Sequence, residues 1–166
     1  MHIHTHHAAG LVGGRQALSD AAPVQEAPMC TSTAHGHVAV VNALAYLPSR
    51  NWVASAGGDT TIRLWRCADL SHVATLRGHR GSVLCLLAAG AGSLLISGAR
   101  DNTIRVWDLE LDMMCRCTLT GHKDDVLALA GNKEEGEEHG ATRGDLVVVS
   151  ASADGSVRLW CVACAS

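Results

Sequence analysis

The chain contains three copies of one pattern, and this internal repetition constrains its fold more than any other feature. In each copy a Gly-His pair is followed by a Val-rich segment, then by a Ser, by an Asp four residues later, and by a Trp six residues after the Asp. The Gly-His pairs begin at Gly36, Gly78 and Gly121, and the Trp residues are Trp65, Trp107 and Trp160. A period of about 42 residues is typical of repeat proteins, in which each unit buries its apolar face against its neighbours. We therefore expect a stack of similar units.

Each copy is predicted to form short antiparallel strands. Runs that alternate or are rich in β-branched residues are separated by turn residues such as Gly, Asp, Asn and Pro. The predicted strands are 40–46, 52–56, 61–66 and 72–76, then 82–88, 94–98, 103–108 and 115–119, then 125–130, 146–151 and 156–161. The third copy lacks a fourth strand, and the segment from Met29 to Ala34 is a candidate for it.

The pattern divides the chain into a leader and three repeats. Residues 1–28 show no periodic apolar pattern, so we expect a disordered leader rich in His, Ala and Gly. The repeats are predicted at 29–77, 78–120 and 121–166. The third repeat contains an acidic insertion at 131–145, which we expect to be a solvated and mobile loop.

Composition excludes several classes of protein. Hydrophobic residues make up 48% of the chain, so we expect a folded core. The net charge of -3 provides no basic field for nucleic acid or anionic lipid. The apolar run 84–96 is interrupted by glycines and is shorter than the roughly 20 residues that span a bilayer. The start of the chain lacks a secretory signal and the seven cysteines suit a reducing compartment, so we expect an intracellular protein, cytoplasmic or nuclear.

The repeated Gly-His, Asp and Trp resemble the signature of WD-repeat (WD40-type) β-propellers over residues 36–166. The resemblance implies an all-β fold of three WD-repeat blades, each a four-stranded antiparallel sheet. Because such rings take about four to eight blades, three blades are expected to form an incomplete, open propeller. The sequence leaves open whether the chain is a fragment, pairs with a second copy into a six-bladed ring, or takes blades from another protein.

The resemblance also implies a structural tetrad in each repeat, in which Trp bonds Ser, Ser bonds His, and His bonds Asp. The sets are His37, Ser55, Asp59 and Trp65; His79, Ser97, Asp101 and Trp107; and His122, Ser150, Asp154 and Trp160. Ser, His and Asp also make up hydrolase triads. Threefold recurrence beside a Trp, without a Gly-x-Ser-x-Gly motif, favours a structural role, and no catalytic residue is predicted. The facing of the Arg two residues before each Trp is left open.

Two groups of residues have the chemistry of metal ligands. The leader contains His2, His4, His6 and His7, and the cysteines include the pairs Cys115 with Cys117 and Cys161 with Cys164. The leader provides no fixed geometry, and the two cysteine pairs lie in different repeats. The cysteines are better explained as small apolar side chains packed between sheets than as metal ligands. We therefore expect no metal and no cofactor.

Partner binding is expected at the top of the blades, by resemblance to other propellers. The positions carried over are Val38, Val40 and Gly58, then Arg80, Ser82 and Arg100, then Lys123, Asp125 and Ala153. Arg80, Arg100 and Lys123 form a small basic patch that suits an acidic or phosphorylated peptide. The predicted function is a non-catalytic protein-protein interaction scaffold. The alternative is a substrate-recruiting or regulatory subunit of a larger enzyme complex such as a ubiquitin ligase.

Overall fold

The computed structural model of the chain describes residues 30–131 and 145–163. The predicted leader, 1–28, lies outside the described residues, as do 132–144 of the predicted insertion. The two ends of that insertion belong to strands, because Gly131 ends one strand and Asp145 begins the next. In the described part of the chain, no helix is long and apolar enough to cross a membrane.

In residues 30–131 and 145–163, eleven strands form three antiparallel sheets, or blades, and the strands of each sheet are hydrogen-bonded in chain order. The first blade contains β1 (Val41–Leu47), β2 (Trp52–Gly57), β3 (Ile62–Arg66) and β4 (His72–Leu76). The second contains β5 (Val83–Ala89), β6 (Leu94–Ala99), β7 (Ile104–Asp108) and β8 (Met114–Leu119). The third contains β9 (Val126–Gly131), β10 (Asp145–Ser152) and β11 (Val157–Ala163). The predicted all-β class and the predicted strands are confirmed, with strand ends shifted by one or two residues.

The third blade has three strands within the described residues, ordered β11, β10 and β9. The segment proposed to complete it does not do so in its described part, because residues 30–34 belong to no strand. That segment leads directly to His37, which hydrogen bonds to Ser55 and Asp59 hold in the first blade. The third blade packs instead on the second, through contacts of β9 with β5 and β6.

Each blade has two faces, because successive side chains of a strand point to opposite sides of the sheet. We call the face that carries the tetrad Ser and Trp the head face, and the opposite face the tail face. The tail face of the first blade, with Ile62 and Leu64, packs on the head face of the second, with Leu95 and Trp107. The same contact joins the second and third blades, through the tail residues Ile96, Ile104 and Val106 and the head residues Leu146 and Val148.

The turns between β1 and β2 and between β5 and β6 also bring neighbouring blades together. The first turn contains a short 3-10 segment, Pro48–Arg50, and the second contains Gly90–Gly92, whose three residues all have positive φ. Gly92 has a φ of +96°, and a Cβ atom there would lie 2.9 Å from the Ser49 Oγ of the first blade. A side chain at this position would therefore be strained and would push the two turns apart.

Candidate functional site

The four side chains of the first predicted tetrad are joined by hydrogen bonds. The Trp65 indole N–H donates to the Ser55 Oγ over 2.8 Å. The Ser55 Oγ lies 2.8 Å from the His37 Nε2, and the His37 Nδ1 lies 2.9 Å from the Asp59 Oδ2. The chain of bonds crosses from β3 to β2, then to the loop before β1, and ends in the turn between β2 and β3. It therefore links the loop before β1 and the turn between β2 and β3 to the sheet, and we call this end of each blade its top end.

The second and third tetrads have the same geometry. In the second tetrad the Trp107 Nε1 lies 2.8 Å from the Ser97 Oγ. The Ser97 Oγ lies 2.7 Å from the His79 Nε2, and the His79 Nδ1 lies 2.9 Å from the Asp101 Oδ2. In the third tetrad the corresponding distances are 2.8 Å from Trp160 to Ser150, 2.7 Å from Ser150 to His122 and 3.0 Å from His122 to Asp154. The same geometry in all three repeats is expected of a structural element that recurs in every blade.

Proton positions in the second tetrad follow from its burial. Burial lowers the pKa of His79 from its ordinary value, although its hydrogen bond to Asp101 opposes the shift. The imidazole is therefore neutral near pH 7, with Nδ1–H donating to Asp101 and Nε2 accepting from the Ser97 hydroxyl. The Trp107 N–H donates to the same hydroxyl oxygen, so every polar atom of the set is satisfied.

The tetrad serines are unsuited to nucleophilic catalysis. They are almost fully buried, with exposures of 3% for Ser55, 0% for Ser97 and 1% for Ser150. A substrate carbonyl has no path to such a hydroxyl, and a Trp N–H already occupies a lone pair of its oxygen. The arrangement can hold the turns of the blade in place, but it cannot expose a nucleophile.

The tetrad aspartates position the backbone at the top of the blades. Burial raises the pKa of Asp59, but hydrogen bonds from the Thr61 side chain, the Val38 N–H and His37 outweigh it and hold the pKa well below its usual range. In the third blade the hydrogen bonds from the Ser156 hydroxyl and the Lys123 N–H do the same for Asp154. Each aspartate thus fixes the residue that follows the tetrad His.

The predicted top-face positions share one backbone frame. In the second blade the Arg80 N–H donates to the Asp101 Oδ2 over 2.8 Å, and the Arg100 N–H donates to the Ser82 carbonyl over 2.9 Å. The equivalent bonds run from Val38 to Asp59, Gly58 to Val40, Lys123 to Asp154 and Ala153 to Asp125. The three residues predicted for each repeat are therefore held side by side, and only their side chains differ between blades.

The side chains on this frame differ in polarity. Val38 and Val40 of the first blade are 89% and 69% exposed, which is unusual for valine. Arg80 and Lys123 are exposed on the second and third blades. The Arg100 Nε lies 3.4 Å from the Asp125 Oδ2, so one cation of the predicted basic patch is paired with a carboxylate of the next blade.

The structure shows which face of the blade carries the Arg that lies two residues before each tetrad Trp, a point that the sequence left open. A Cβ atom on Gly78, whose φ is +157°, would lie 3.0 Å from the Arg105 Nη1 and 3.2 Å from the Trp107 ring. Arg105 therefore shares the head face with Trp107 and covers the Gly-His turn. The Nε atoms of Arg63 and Arg105 are buried and have no hydrogen-bond partner in the part of the chain that the structure describes. Strand alternation could have indicated this, because each Arg lies two residues before a Trp.

The candidate metal ligands do not converge within the described residues. Cys115 and Cys117 are half-buried on β8, whereas Cys161 is exposed on β11 of another blade. Cys164 and the leader histidines lie outside the described residues. In the ranges 30–131 and 145–163, no group of three or more His, Cys, Asp and Glu side chains is placed to hold a metal ion.

One surface hollow was not predicted from the sequence. It has a volume of about 430 Å³, is wide open to solvent, and is lined by Asp108, Leu111, Met114, Cys115 and Arg116 around the turn between β7 and β8. This turn falls outside the repeated Gly-His, Asp and Trp positions, so the repeat pattern contains no signal for it.

Comparisons with known proteins agree with the fold. The family model "WD domain, G-beta repeat" matches residues 28–66, 70–108 and 113–161. Similar curated proteins include telomerase protein component 1 of Mus musculus, 30% identical over 130 residues, and a CCR4-associated factor 4 homolog of Candida glabrata, 28% identical over 148 residues. These alignments cover 70% and 79% of this chain but only 4% and 25% of the relatives.

Solved structures show the same likeness. "Structure of U3-55K" and "Crystal structure of RRP9 WD40 repeats" each match with a TM-score of 0.67 and 28% sequence identity. Each match covers 77% of this chain, and 38% and 37% of the respective solved chains. The chain thus spans less than half of the structures that it resembles.

Proposed function

Since the chain belongs to the WD domain, G-beta repeat family, we propose that it is a non-catalytic scaffold that binds other proteins at the top ends of its blades. The observation that carries this proposal is the repeated backbone frame, which holds the three predicted positions of each blade in one geometry while their residue types differ. Rigid backbone with variable exposed side chains lowers the entropy cost of binding, which is what a recognition surface needs. The burial of all three tetrad serines supports a structural role for them.

The names of two relatives support a role in assemblies. One is called a protein component of telomerase, and the other is called a CCR4-associated factor. Both names describe proteins that act together with others. We therefore place this chain among interaction modules and assign it no reaction of its own.

We further propose that the partner is an acidic or phosphorylated peptide segment with an apolar side chain at one end. Arg80 and Lys123 provide cations for a carboxylate or phosphate, and an Arg guanidinium bonds such groups with two parallel N–H donors. Val38 and Val40 provide an exposed apolar surface on the first blade. Because Asp125 pairs with Arg100, the anionic group is expected to dock nearer to Arg80.

The proposed location is intracellular, in the cytoplasm or nucleus. Of the described cysteines, Cys85 is buried, Cys67, Cys115 and Cys117 are partly buried in or beside strands, and Cys30 and Cys161 are exposed. Burial raises the pKa of the Cys85 thiol to about 11. Buried thiols of this kind persist in a reducing compartment, where disulfides are rare.

The experiment that tests partner chemistry compares two charge reversals. The purified chain is applied to an array of synthetic acidic, phosphoserine and neutral peptides, and bound peptides are then titrated. We expect Arg80→Glu to weaken the binding of acidic or phosphorylated peptides about tenfold or more, since a hydrogen bond to a charged group contributes about 1.5–3 kcal/mol. The matched control is Arg66→Glu, because exposed Arg66 ends β3 at the opposite end of the first blade.

The control should bind like the unmodified chain. Equal binding by the Arg80→Glu variant, or capture of neutral peptides only, would contradict the proposed partner. Loss of binding in both variants would indicate a general charge effect and would also contradict a top-end site.

A further inference from the structure

The first and third blades each have one apolar face that no other blade of the described residues covers. On the tail face of the third blade, Val157 and Leu159 are both 72% exposed. On the head face of the first blade, Leu44 is 67% exposed and Tyr46 is 55% exposed. Large side chains of this type rarely lie together on the surface of a monomer, because contiguous apolar surface favours association.

The exposed tail face repeats two tail faces that are buried. By position in the repeat, Val157 and Leu159 of β11 correspond to Ile104 and Val106 of β7, which are 0% exposed. In the first blade the corresponding residues are Ile62 and Leu64, also 0% exposed. In both covered cases the covering surface is the head face of the next blade. A head face is therefore the surface that this kind of tail face fits.

The exposed head face likewise repeats two head faces that are covered. Leu44 corresponds to Leu86 of the second blade and Leu129 of the third, because each is paired with the tetrad Ser of its own sheet. Leu86 packs against the core between the first two blades, and Leu129 packs against the core between the last two. A tail face is therefore the surface that the head face of the first blade fits.

The tail face of the third blade is apolar and has a recess, and both features suit packing against a head face. Its described strand residues on that side include Ala128, Ala130, Val149 and Leu159, and none of these carries a charge. A shallow hollow of about 120 Å³ opens there, lined mainly by Ala128, Ala130, Val149, Ala151 and Val157. It offers a recess for projecting side chains such as Leu44 and Tyr46.

We propose that the tail face of the third blade binds the head face of the first blade in a second copy of this chain. The described residues make this contact twice between their own blades and leave one uncovered surface of each kind. Two copies joined by two identical head-to-tail contacts close a ring with twofold symmetry. The ring then has six blades, within the range of about four to eight that propellers use. This contact is separate from the top ends, so it does not depend on the proposed partner.

The first measurement is the absolute mass of the full chain by light scattering after size exclusion. We expect twice the chain mass of 17.3 kDa. Leu159→Glu places a carboxylate on the tail face and Leu44→Glu places one on the head face, and each variant alone is expected to have the mass of one chain. The control is Leu111→Glu, because Leu111 is 71% exposed in the turn between β7 and β8 of the covered second blade. It should keep the doubled mass.

Mixing the two variants tests the head-to-tail arrangement directly. In a mixed pair, the Leu44→Glu copy still has an intact tail face and the Leu159→Glu copy still has an intact head face. One of the two contacts can therefore form, and the mixture should recover the doubled mass. Far-ultraviolet circular dichroism that matches the unmodified chain shows that each variant is folded, as expected for substitutions at exposed positions.

Other outcomes overturn the proposal. A single-chain mass for the unmodified chain means that another protein or a further blade covers these faces. A doubled mass that survives Leu44→Glu but not Leu159→Glu means a tail-to-tail contact. A ladder of larger masses means that two copies do not close a ring, and a mixture that stays at the single-chain mass contradicts head-to-tail pairing.

Discussion

The third strands of the second and third blades have the same alternation of apolar residues with Arg and Trp, but very different surroundings. Ile104 and Val106 of β7 are 0% exposed, whereas Val157 and Leu159 of β11 are 72% exposed. Among the described residues, the second blade lies between two neighbouring blades, and the third blade packs against one. The comparison shows that a blade does not bury its own faces, so its apolar pattern contributes to stability only where another blade packs against it.

The tetrads differ from the apolar faces in this respect. Trp65 lies on the uncovered head face of the first blade and is still only 7% exposed, with the His72 ring of β4 packed against it. Trp107 is 2% exposed, and Cys115 of β8 is its partner across the strands. Trp160 is half-buried, and the described residues of its sheet include no fourth strand. Tetrad burial thus depends on the strands of the same blade.

The sharpest test of the comparison is the same truncation at a covered and an uncovered tail position. Leu64→Ala removes a fully buried side chain and should lower the free energy of unfolding by about 2–5 kcal/mol, through lost apolar burial and the cavity left behind. Leu159→Ala should change it by less than about 0.5 kcal/mol when the chain is dilute enough for copies to be apart. Urea unfolding of both variants measures the difference, and equal losses would mean that β11 is covered within one chain.

A second comparison places the same polar change in two tetrads. Ser97→Ala leaves the Trp107 N–H without an acceptor in a site that is almost closed to water, and should cost about 2–3 kcal/mol. Ser150→Ala does the same to Trp160, but this side chain is less buried than Trp107, so the cost should be nearer 1 kcal/mol. Denaturant midpoints provide the readout. A larger loss for Ser150→Ala would contradict the role given to the fourth strand.

The smallest expected effect is a dependence of stability on pH in the second tetrad. The unfolded imidazole of His79 takes up a proton below about pH 6.5, whereas burial keeps the folded one neutral until its lowered pKa is reached. The unfolded state therefore binds more protons in that window, and the free energy of unfolding falls as pH falls. Unfolding between about pH 7.5 and 5.5 should show a shallower slope for His79→Gln than for the unmodified chain. Equal slopes would place the pH dependence elsewhere.

Much of the fold could be predicted from local sequence because the repeat places the same residue types at the same spacing three times. The strands β2, β3 and β4 begin or end within a residue of their predicted positions, since alternation and turn residues act over a few positions. The tetrad sets were expected from the resemblance to WD-repeat propellers, and in the second blade their bonds join residues 18 and 22 positions apart in the chain. His79, Ser97 and Asp101 meet because two hairpin connections of one blade bring them together.

Contacts between blades could not be predicted in this way. The ion pair of Arg100 with Asp125 joins loops of different blades, and it changes the charge of a patch that the sequence alone suggested was basic. The hollow beside Leu111 arises from a turn that is not repeated. The segment before His37 has strand-like residues but forms no strand from 30 to 34. Each outcome depends on how separate parts of the chain are placed.

The sequence by itself determined the blades, because a period-two apolar pattern, turn residues and a set of mutually satisfying polar side chains act within about 42 residues. Only the tertiary structure decided which apolar faces are buried. Ile62, Ile104 and Val157 occupy one position of the repeat and are all β-branched apolar residues, yet the first two are buried and the third is exposed. The physical reason is that hydrophobic burial is a property of two surfaces in contact, and the second surface is not encoded in the strand that needs it.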